Sequence, residues 1–238
     1  MNKEKLMSQP HLFITGANRG IGLEMIKQFS QSGWKISACC RTPETADELN
    51  ALAKDNEHIT LYPLDVTDYQ AVSALANQLK HLTIDLLINN AGIYGPKGSN
   101  LHDLDLDAWR QVFETNTIAP LKLVQAFAPH VAASQGKQIA IISSKMGSIS
   151  DNQSGSAYIY RSSKTALNQI IKSLSIDLQP QGIKVIALHP GWVRTQMGGP
   201  NGLIDVEQSV NGLKQVMTAE AGIKTGHFYN YDGTEINW

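Results

Sequence analysis

Apolar and polar positions along the chain form two alternating patterns. Short apolar runs predict strands over 11–15, 34–40, 59–64, 84–88, 137–143, 183–189 and 227–229. Between these runs, apolar residues recur at helical spacing, for example at Leu23, Ile26 and Phe29. Strands that alternate with helices, with no internal repeat and no long linker, predict a doubly wound parallel α/β sheet. We expect a single domain over 11–238, preceded by a tail of residues 1–10.

One predicted helix has an irregular middle. Its apolar positions, among them Trp109, Val112 and Phe127, indicate one long helix, yet Asn116 and Pro120 lie within it. Proline lacks the backbone N–H that a helix uses, and an asparagine amide competes with backbone hydrogen bonds. The two residues therefore indicate that this stretch has a task besides packing.

Composition and charge exclude several classes of function. At 238 residues the chain suits one large domain, and its formal charge of -1 indicates no nucleic-acid-binding face. The adjacent Cys39 and Cys40 cannot form a disulfide framework, which is typical of a reducing compartment. Residues 1–10 lack the apolar stretch of a signal peptide, and no segment reaches the roughly 20 apolar residues of a membrane span. We expect a cytoplasmic protein without membrane or nucleic-acid partners.

No metal ion is expected. The richest group of ligands, His102, Asp103, Asp105 and Asp107, precedes an apolar run, and alternating acids there more often form a solvated helix entry. The other histidines are scattered without the spacing of a metal site.

A glycine-rich turn follows the first predicted strand. Gly16, Gly20 and Gly22 let the backbone turn sharply and let a phosphate approach the free amides at the helix start. Their spacing, Gly-x-x-x-Gly-x-Gly, differs from the Gly-x-Gly-x-x-Gly of the common dinucleotide fingerprint. The turn therefore predicts a phosphate-binding site, with a merely tight βα turn as the alternative.

Two arginines favour one nicotinamide cofactor over the other. Enzymes that bind NAD usually place an acid at the end of the second strand, whereas a basic residue suits the 2′-phosphate of NADP. Arg41 occupies that position here, and Arg19 lies inside the glycine turn. We therefore predict NADP(H) rather than NAD(H), although either arginine alone also fits a solvated surface. Asp65, after the third strand, is expected either to face an adenine edge or to stabilise a turn.

Tyr160 and Lys164 lie four residues apart on a predicted helix and so project from the same face. A nearby ammonium favours the phenolate and lowers the pKa of a phenol toward the neutral range. The pair is therefore a candidate acid/base device. The alternative is a common surface pair.

Four segments at strand ends together resemble the short-chain dehydrogenase/reductase family over essentially the whole chain. They are 15–22, 65–66, 89–92 and 190–195. The resemblance implies a Rossmann-type fold with about seven strands in the order 3-2-1-4-5-6-7. It also implies association into a homodimer or homotetramer through the helices around Asn116 and Tyr160.

The resemblance assigns roles to individual residues. Its catalytic positions are matched by Asn116, Ser144, Tyr160 and Lys164. With Arg41 included, the predicted cofactor contacts are Gly16, Asn18, Arg19, Gly20, Ile21, Gly22, Arg41, Asp65, Val66, Asn90, Ala91, Gly92, Tyr160, Lys164, Pro190, Gly191, Val193 and Thr195. Tyr160 is expected to protonate a carbonyl oxygen that Ser144 holds. Lys164 is expected to bind the nicotinamide ribose, and Asn116 to hold a water that relays protons.

Longer stretches over 143–149, 157–168 and 189–200 resemble the carbonyl reductases of the C-factor and sniffer type. This narrower resemblance implies reduction of a small aldehyde, ketone or quinone by NADPH, or alternatively a nucleotide-binding signalling protein. The loop before Tyr160 runs about three residues longer than the family usually has, so the catalytic hydroxyl is Ser144 or Ser143. Gly147 stands three residues after Ser144, as in the family pattern, and favours Ser144.

The substrate itself is not readable from the sequence. The region after 192 is apolar without a charged anchor, and Trp192, Met197 and Tyr158 are candidate pocket walls or core residues. The glycine- and proline-rich segment 197–202 predicts a mobile lid or a plain surface loop.

Overall fold

Seven parallel strands form one sheet in the computed structural model, which describes residues 9–98, 101–219 and 222–238. In chain order the strands are β1 His11–Thr15, β2 Lys35–Cys40, β3 Ile59–Pro63, β4 Leu86–Asn89, β5 Gln138–Ile142, β6 Lys184–His189 and β7 Phe228–Asn230. Their order across the sheet is β3-β2-β1-β4-β5-β6-β7, and all neighbouring pairs are parallel. The predicted doubly wound sheet and its strand order are confirmed.

Helices cover both faces of this sheet. They are α1 Gly20–Gln31, α2 Asp47–Asp55, α3 Tyr69–Gln78, α4 Leu106–Phe113, α5 Ala119–Ala132, α6 Tyr158–Asp177 and α7 Val206–Thr218. In the described part of the chain, none of them has the length and apolar character that crossing a membrane requires.

Alternate strand residues feed two separate apolar clusters. In β1, Leu12 and Ile14 pack with residues of α1, α2 and α7, whereas Phe13 packs with residues of α3, α5 and α6. Because helices bury both faces, the strands are apolar at nearly every position rather than at every second one. This explains why short apolar runs predicted the strands.

The predicted long helix over 109–127 is wrong as a single element. α4 ends at Phe113, a π-helical turn occupies Glu114–Ile118, and α5 begins at Ala119. Pro120 lies in the first turn of α5, where its missing N–H is tolerated. Asn116 lies inside the π turn and is completely buried. The wider π turn accommodates Asn116 and ends just before Pro120.

Helix α7 was not predicted from the sequence. It is capped by the Asp205 carboxylate, which accepts a hydrogen bond of 2.7 Å from the backbone N–H of Gln208. Val210, Leu213 and Met217 face the apolar cluster of α1 at helical spacing. That spacing and the cap residue are the signals that could have found the helix.

Candidate functional site

The carboxyl ends of the strands surround one large cavity of about 910 Å³. Most of the predicted site residues line it: Gly16, Asn18, Arg19, Gly20, Ile21, Gly22, Arg41, Asp65, Val66, Asn90, Ala91, Gly92, Tyr160, Lys164, Pro190 and Thr195. These residues come from the ends of several strands that are distant in sequence. The sheet topology brings them together because parallel strands end at the same edge.

The glycine turn presents backbone to this cavity. Gly16 and Gly20 have φ angles of +67° and +54°, in the left-handed region that favours glycine. A Cβ atom at Gly16 would lie 2.9 Å from the Ala91 Cα, so the turn also packs tightly on the loop after β4. Helix α1 begins at Gly20, and its first backbone N–H groups have no intrahelical partner. The turn therefore fits a phosphate.

Asn90 joins the glycine turn to the loop after β4. Its Nδ2 donates hydrogen bonds of 3.0 Å to the carbonyl oxygens of Thr15 and of Gly16. The Thr15 hydroxyl in turn accepts from the backbone N–H groups of Asn90 and Ala91 at 3.2 Å each. Asn90 thus orders the turn, and Thr15, which the sequence analysis missed, shares this task. A threonine immediately before the first glycine was the available signal.

Both predicted arginines line the cavity. Arg19 Nη1 donates a hydrogen bond of 2.6 Å to the Gln196 side-chain oxygen. This bond links the turn after β1 to the loop after β6, and both residues line the cavity. Arg41 lies beside Asp65 and contributes to lowering the pKa of that carboxyl group, after the larger effect of two hydrogen bonds from Thr67. Asp65 therefore stabilises a turn and also lines the cavity. Its position is compatible with both predicted roles, the adenine contact and the turn residue.

Tyr160 and Lys164 lie on one face of α6, as predicted. The Lys164 Nζ is 5.9 Å from the centre of the Tyr160 ring and donates a hydrogen bond of 2.9 Å to the Ile142 carbonyl oxygen. Lys164 is only 5% exposed. Burial lowers the pKa of its ammonium group to about 8.

The expectation that Lys164 lowers the pKa of Tyr160 is wrong for the protein alone. Burial raises the pKa of the Tyr160 phenol to about 12, and the hydrogen bond from Ser144 only partly opposes this rise. Desolvation dominates because the phenolate loses more free energy of hydration in this pocket than it gains from hydrogen bonds and charges of the neighbouring groups. Tyr160 is therefore protonated at neutral pH and able to donate.

The structure separates the roles of the two serines after β5. Ser143 lines the cavity, but its hydroxyl donates a hydrogen bond of 2.5 Å to the Asn168 side-chain oxygen inside the protein. Ser144 does not border the cavity directly, yet its hydroxyl hydrogen-bonds the Tyr160 phenol and accepts from the Met146 backbone N–H at 3.2 Å. The contact with Tyr160 favours Ser144 as the hydroxyl that acts with it.

Asn116 does not border the cavity but lies beneath it. Its Oδ1 accepts a hydrogen bond of 2.9 Å from the Ile93 backbone N–H, and its Nδ2 donates to the Ile93 carbonyl oxygen at 2.8 Å. The same Nδ2 donates to the Ser163 hydroxyl at 3.2 Å. Both amide N–H bonds are therefore used within the protein. The buried amide has a structural reason that the sequence did not reveal.

Tyr94 is a further residue of the site that sequence analysis missed. It lines the cavity, and its ring stacks on the Tyr160 ring with 4.5 Å between ring centres and 27° between ring planes. Its position in the loop directly after β4, two residues beyond Gly92, was the available signal.

The loop after β6 is folded on itself. Gly191 packs against Ile204 and Tyr231, and Val193 is buried and pairs with Ile204, so neither of these two predicted cofactor contacts borders the cavity. Both residues instead pack within the protein and support the loop.

Only one of the three candidate pocket walls borders the cavity. Met197 lines it, whereas Trp192, which is 51% exposed, and Tyr158 do not. The Trp192 ring N–H instead donates a hydrogen bond of 2.8 Å to the Gly198 carbonyl oxygen and holds the loop together. Whether 197–202 moves as a lid stays a prediction.

The lining of the cavity fits a dinucleotide with a 2′-phosphate. Free amides at the start of α1 suit the pyrophosphate, and Arg19 and Arg41 add positive charge to the lining. Tyr160 and Lys164 line the same cavity.

The chain has sequence and structural relatives among known proteins. The family model described as short chain dehydrogenase matches residues 10–202. The C-signal of Myxococcus xanthus is 39% identical over 155 residues, which are 65% of this chain and 93% of that protein. The carbonyl reductase Sniffer of D. melanogaster is 36% identical and aligns with a TM-score of 0.91 over 97% of this chain and 100% of its own. An NADPH-bound carbonyl reductase from chicken fatty liver is 36% identical, with a TM-score of 0.89 over 98% and 100% of the two chains.

Proposed function

Since the chain belongs to the short-chain dehydrogenase/reductase family, it is an oxidoreductase that uses NADP(H), and we propose that it reduces a small aldehyde, ketone or quinone. The observation that carries the proposal is the group of Tyr160, Ser144 and Lys164 beside a cavity that two arginines border. A protein that only bound the nucleotide would have no chemical need for a half-buried, protonated phenol at this place.

The cofactor would be held by residues along the whole cavity. The glycine turn and the start of α1 would bind the pyrophosphate, and Arg19 and Arg41 the 2′-phosphate. Asp65 and Val66 border the cavity beside Arg41, where an adenine would lie. When bound, NADPH supplies the hydride.

Tyr160 and Ser144 act on the carbonyl oxygen of the substrate. Tyr160 is protonated at neutral pH, so it donates its proton to the oxygen as negative charge develops there. The Ser144 hydroxyl donates to the phenol in the free protein, and with substrate bound its single proton would turn to the carbonyl oxygen instead. Together they stabilise charge only where the reaction creates it.

Lys164 and Asn116 complete the proton path. Lys164 would bind the ribose hydroxyls, and its pKa of about 8 lets it release a proton near neutral pH. The Asn116 amide is occupied, so a relaying water would sit on its backbone carbonyl. Pro120, four residues later, has no N–H to donate to that carbonyl.

Mutation of Tyr160 tests the proposal. In Tyr160→Phe, NADPH oxidation with aldehydes, ketones and quinones should fall about a hundred- to ten-thousandfold, because the general acid is lost. NADPH affinity, measured by fluorescence, should change little. Tyr158→Phe, two residues earlier on the same helix but outside the cavity, is the matched control and should keep wild-type rates. Wild-type turnover in Tyr160→Phe would refute the assignment.

A signalling or regulatory role is the second candidate, supported by the similarity to C-signal over 65% of the chain. In that case the site would bind the nucleotide, and turnover would be incidental. Tight NADPH binding combined with no oxidation across the whole carbonyl panel would favour this role. Oxidation of secondary alcohols by NADP⁺ should be measured beside it, because the same residues serve both directions.

A further inference from the structure

The stacked pair of Tyr94 and Tyr160 is built from two distant parts of the chain. Tyr94 belongs to the loop after β4, and Tyr160 to the first turn of α6. Their ring centres are 4.5 Å apart, and both rings border the same cavity. An offset stack of this kind contributes about 0.5–1.5 kcal/mol beyond area burial and restrains the rotation of both rings.

The buried amide of Asn116 ties the two stacked residues together. It binds both backbone polar groups of Ile93, the residue directly before Tyr94. It also donates to the Ser163 hydroxyl, which itself donates a hydrogen bond of 2.8 Å to the Tyr160 backbone carbonyl. One side chain thereby fixes the backbone of both tyrosines.

Gly95 restrains Tyr94 from its other side. Its φ angle is +80°, and a Cβ atom there would lie 2.8 Å from Val112 of α4 and 3.6 Å from Ile159 of α6. The backbone on both sides of Tyr94 therefore has little freedom, which is unusual for a loop.

We propose that Tyr94 is a positioning residue that holds the Tyr160 ring in its reactive orientation and shields one face of it from water. The effect of Tyr94 on catalysis rests on the proposed function. Its effect on the position and shielding of the Tyr160 ring does not. Asn116 and Gly95 serve it by fixing the loop that carries Tyr94.

Shielding by Tyr94 has a measurable electrostatic consequence. The charged or titratable groups near the Tyr160 phenol are Tyr94 and Lys164, with Ser144 as its hydrogen-bond partner. Glu114, bonded to the Tyr69 hydroxyl, and Arg194, paired with Asp205, also line the cavity.

Burial is the main cause of the raised pKa of Tyr160, and a smaller Coulombic effect of Tyr94 raises the pKa further. Removing the Tyr94 ring admits water, so the pKa of Tyr160 should fall toward its ordinary value.

Titration of the cofactor-free protein tests the structural part. In protein labelled with ¹³C at tyrosine Cζ, with the Tyr160 signal assigned by Tyr160→Phe, the wild-type signal should complete no more than about a tenth of its titration shift up to pH 11. In Tyr94→Ala the midpoint of the same titration should fall below pH 11, whereas Tyr94→Phe, which keeps the stack and loses only the Tyr94 hydroxyl, should stay closer to the wild type. An unchanged Tyr160 titration in Tyr94→Ala would overturn the proposal, whether or not the protein turns over any carbonyl.

A double-mutant cycle tests the catalytic part. In the wild-type background, Tyr94→Ala should lower kcat about ten- to hundredfold because the donor is misplaced, while NADPH affinity is retained. In the Tyr160→Phe background the same change should alter kcat less than about threefold, since Tyr94 acts through Tyr160. Equal losses in both backgrounds would mean that Tyr94 acts directly on substrate or cofactor, and would overturn the positioning role. A protein inactive with every carbonyl would defeat the proposed function instead, and the titration would still decide the role of Tyr94.

Discussion

Lys164 illustrates how a single buried lysine destabilises the protein that carries it. Its ammonium is almost entirely buried and has the Ile142 carbonyl oxygen as its hydrogen-bond partner. The lowering of its pKa from 10.5 to about 8 means that the folded protein disfavours the charged form. At neutral pH the free protein therefore carries an unfavourable charge, which the ribose of a bound nucleotide would partly stabilise.

Replacing this lysine by methionine should stabilise the cofactor-free protein. At pH 7 we expect Lys164→Met to gain about 2 kcal/mol in the free energy of unfolding, because the desolvation cost exceeds one lost hydrogen bond. Between pH 8 and 10.5 the unfolded chain binds more protons than the folded one, so wild-type stability rises with pH and the advantage should shrink. Urea unfolding at pH 7 and pH 9.5 measures both effects. Lys172→Met, an exposed lysine on the same helix, is the control. A Lys164→Met protein less stable than wild type at pH 7 would contradict the argument.

Arg41 is expected to select the cofactor. In Arg41→Ala, NADPH affinity should fall about ten- to hundredfold because a charge-assisted hydrogen bond to the 2′-phosphate is lost, and NADH affinity should stay within about threefold. Fluorescence titration with both nucleotides measures this difference. Arg110→Ala, which removes an exposed arginine outside the cavity, should change neither affinity. Equal losses for both nucleotides would exclude the assigned role.

At the scale of elements, the site depends on how closely α6 approaches the loop after β5. A Cβ atom at Gly147 would lie 2.8 Å from the backbone carbon of Lys164 and from its Cβ. The Thr165 hydroxyl and the Asn168 amide of α6 both donate hydrogen bonds to the Gly147 carbonyl oxygen, at 2.9 Å and 3.2 Å. This contact sets the distance between Ser144 on the loop and Tyr160 on the helix.

A methyl group at Gly147 should therefore disturb the reaction as well as the fold. We expect Gly147→Ala to lower the melting temperature and to reduce kcat at least about tenfold, because α6 must move away from the loop. Gly33→Ala is the matched control: its φ angle is +77°, but no atom lies within 4 Å of the added Cβ. It should cost about 1–2 kcal/mol of stability and leave kcat unchanged. If Gly147→Ala and Gly33→Ala both lose kcat in proportion to their loss of stability, the close contact at Gly147 has no separate role in the reaction.

At the scale of the whole molecule, one edge of the sheet carries the site, and several exposed apolar residues lie on helix faces. Ile118 in the π turn, Leu121 on α5 and Ile176 on α6 are all exposed in the single chain. Family resemblance predicts association through these helices, and the exposed residues are consistent with that surface. Burying them against a second copy would remove apolar area from water.

Light scattering should accordingly give a mass of two or four times the 26.0 kDa of one chain. Leu121→Glu should lower the mass, because a charge would replace an apolar side chain at the contact. Leu203→Glu, an exposed leucine in the loop after β6, should leave it unchanged. A wild-type monomer at micromolar concentration would refute the predicted association.

The sequence alone determined those features that depend on local spacing. Apolar runs, the glycine turn and the four-residue interval of Tyr160 and Lys164 are properties of neighbouring residues, so their periodicity predicts strands, a turn and one helix face. Many of the predicted site residues follow the ends of strands. Because parallel strands end on the same side of the sheet, sixteen of these predicted residues line one cavity.

Only the tertiary structure decided what depends on contacts between distant segments. Three such contacts join parts of the chain more than fifteen residues apart: the hydrogen bonds of the Asn116 amide with Ile93, the contact of Ser144 with Tyr160, and the stack of Tyr94 on Tyr160. The direction of the Tyr160 pKa shift belongs here as well, since spacing showed a nearby ammonium but not the burial that outweighs it. Desolvation depends on everything that surrounds a group, and a linear pattern does not contain that surrounding.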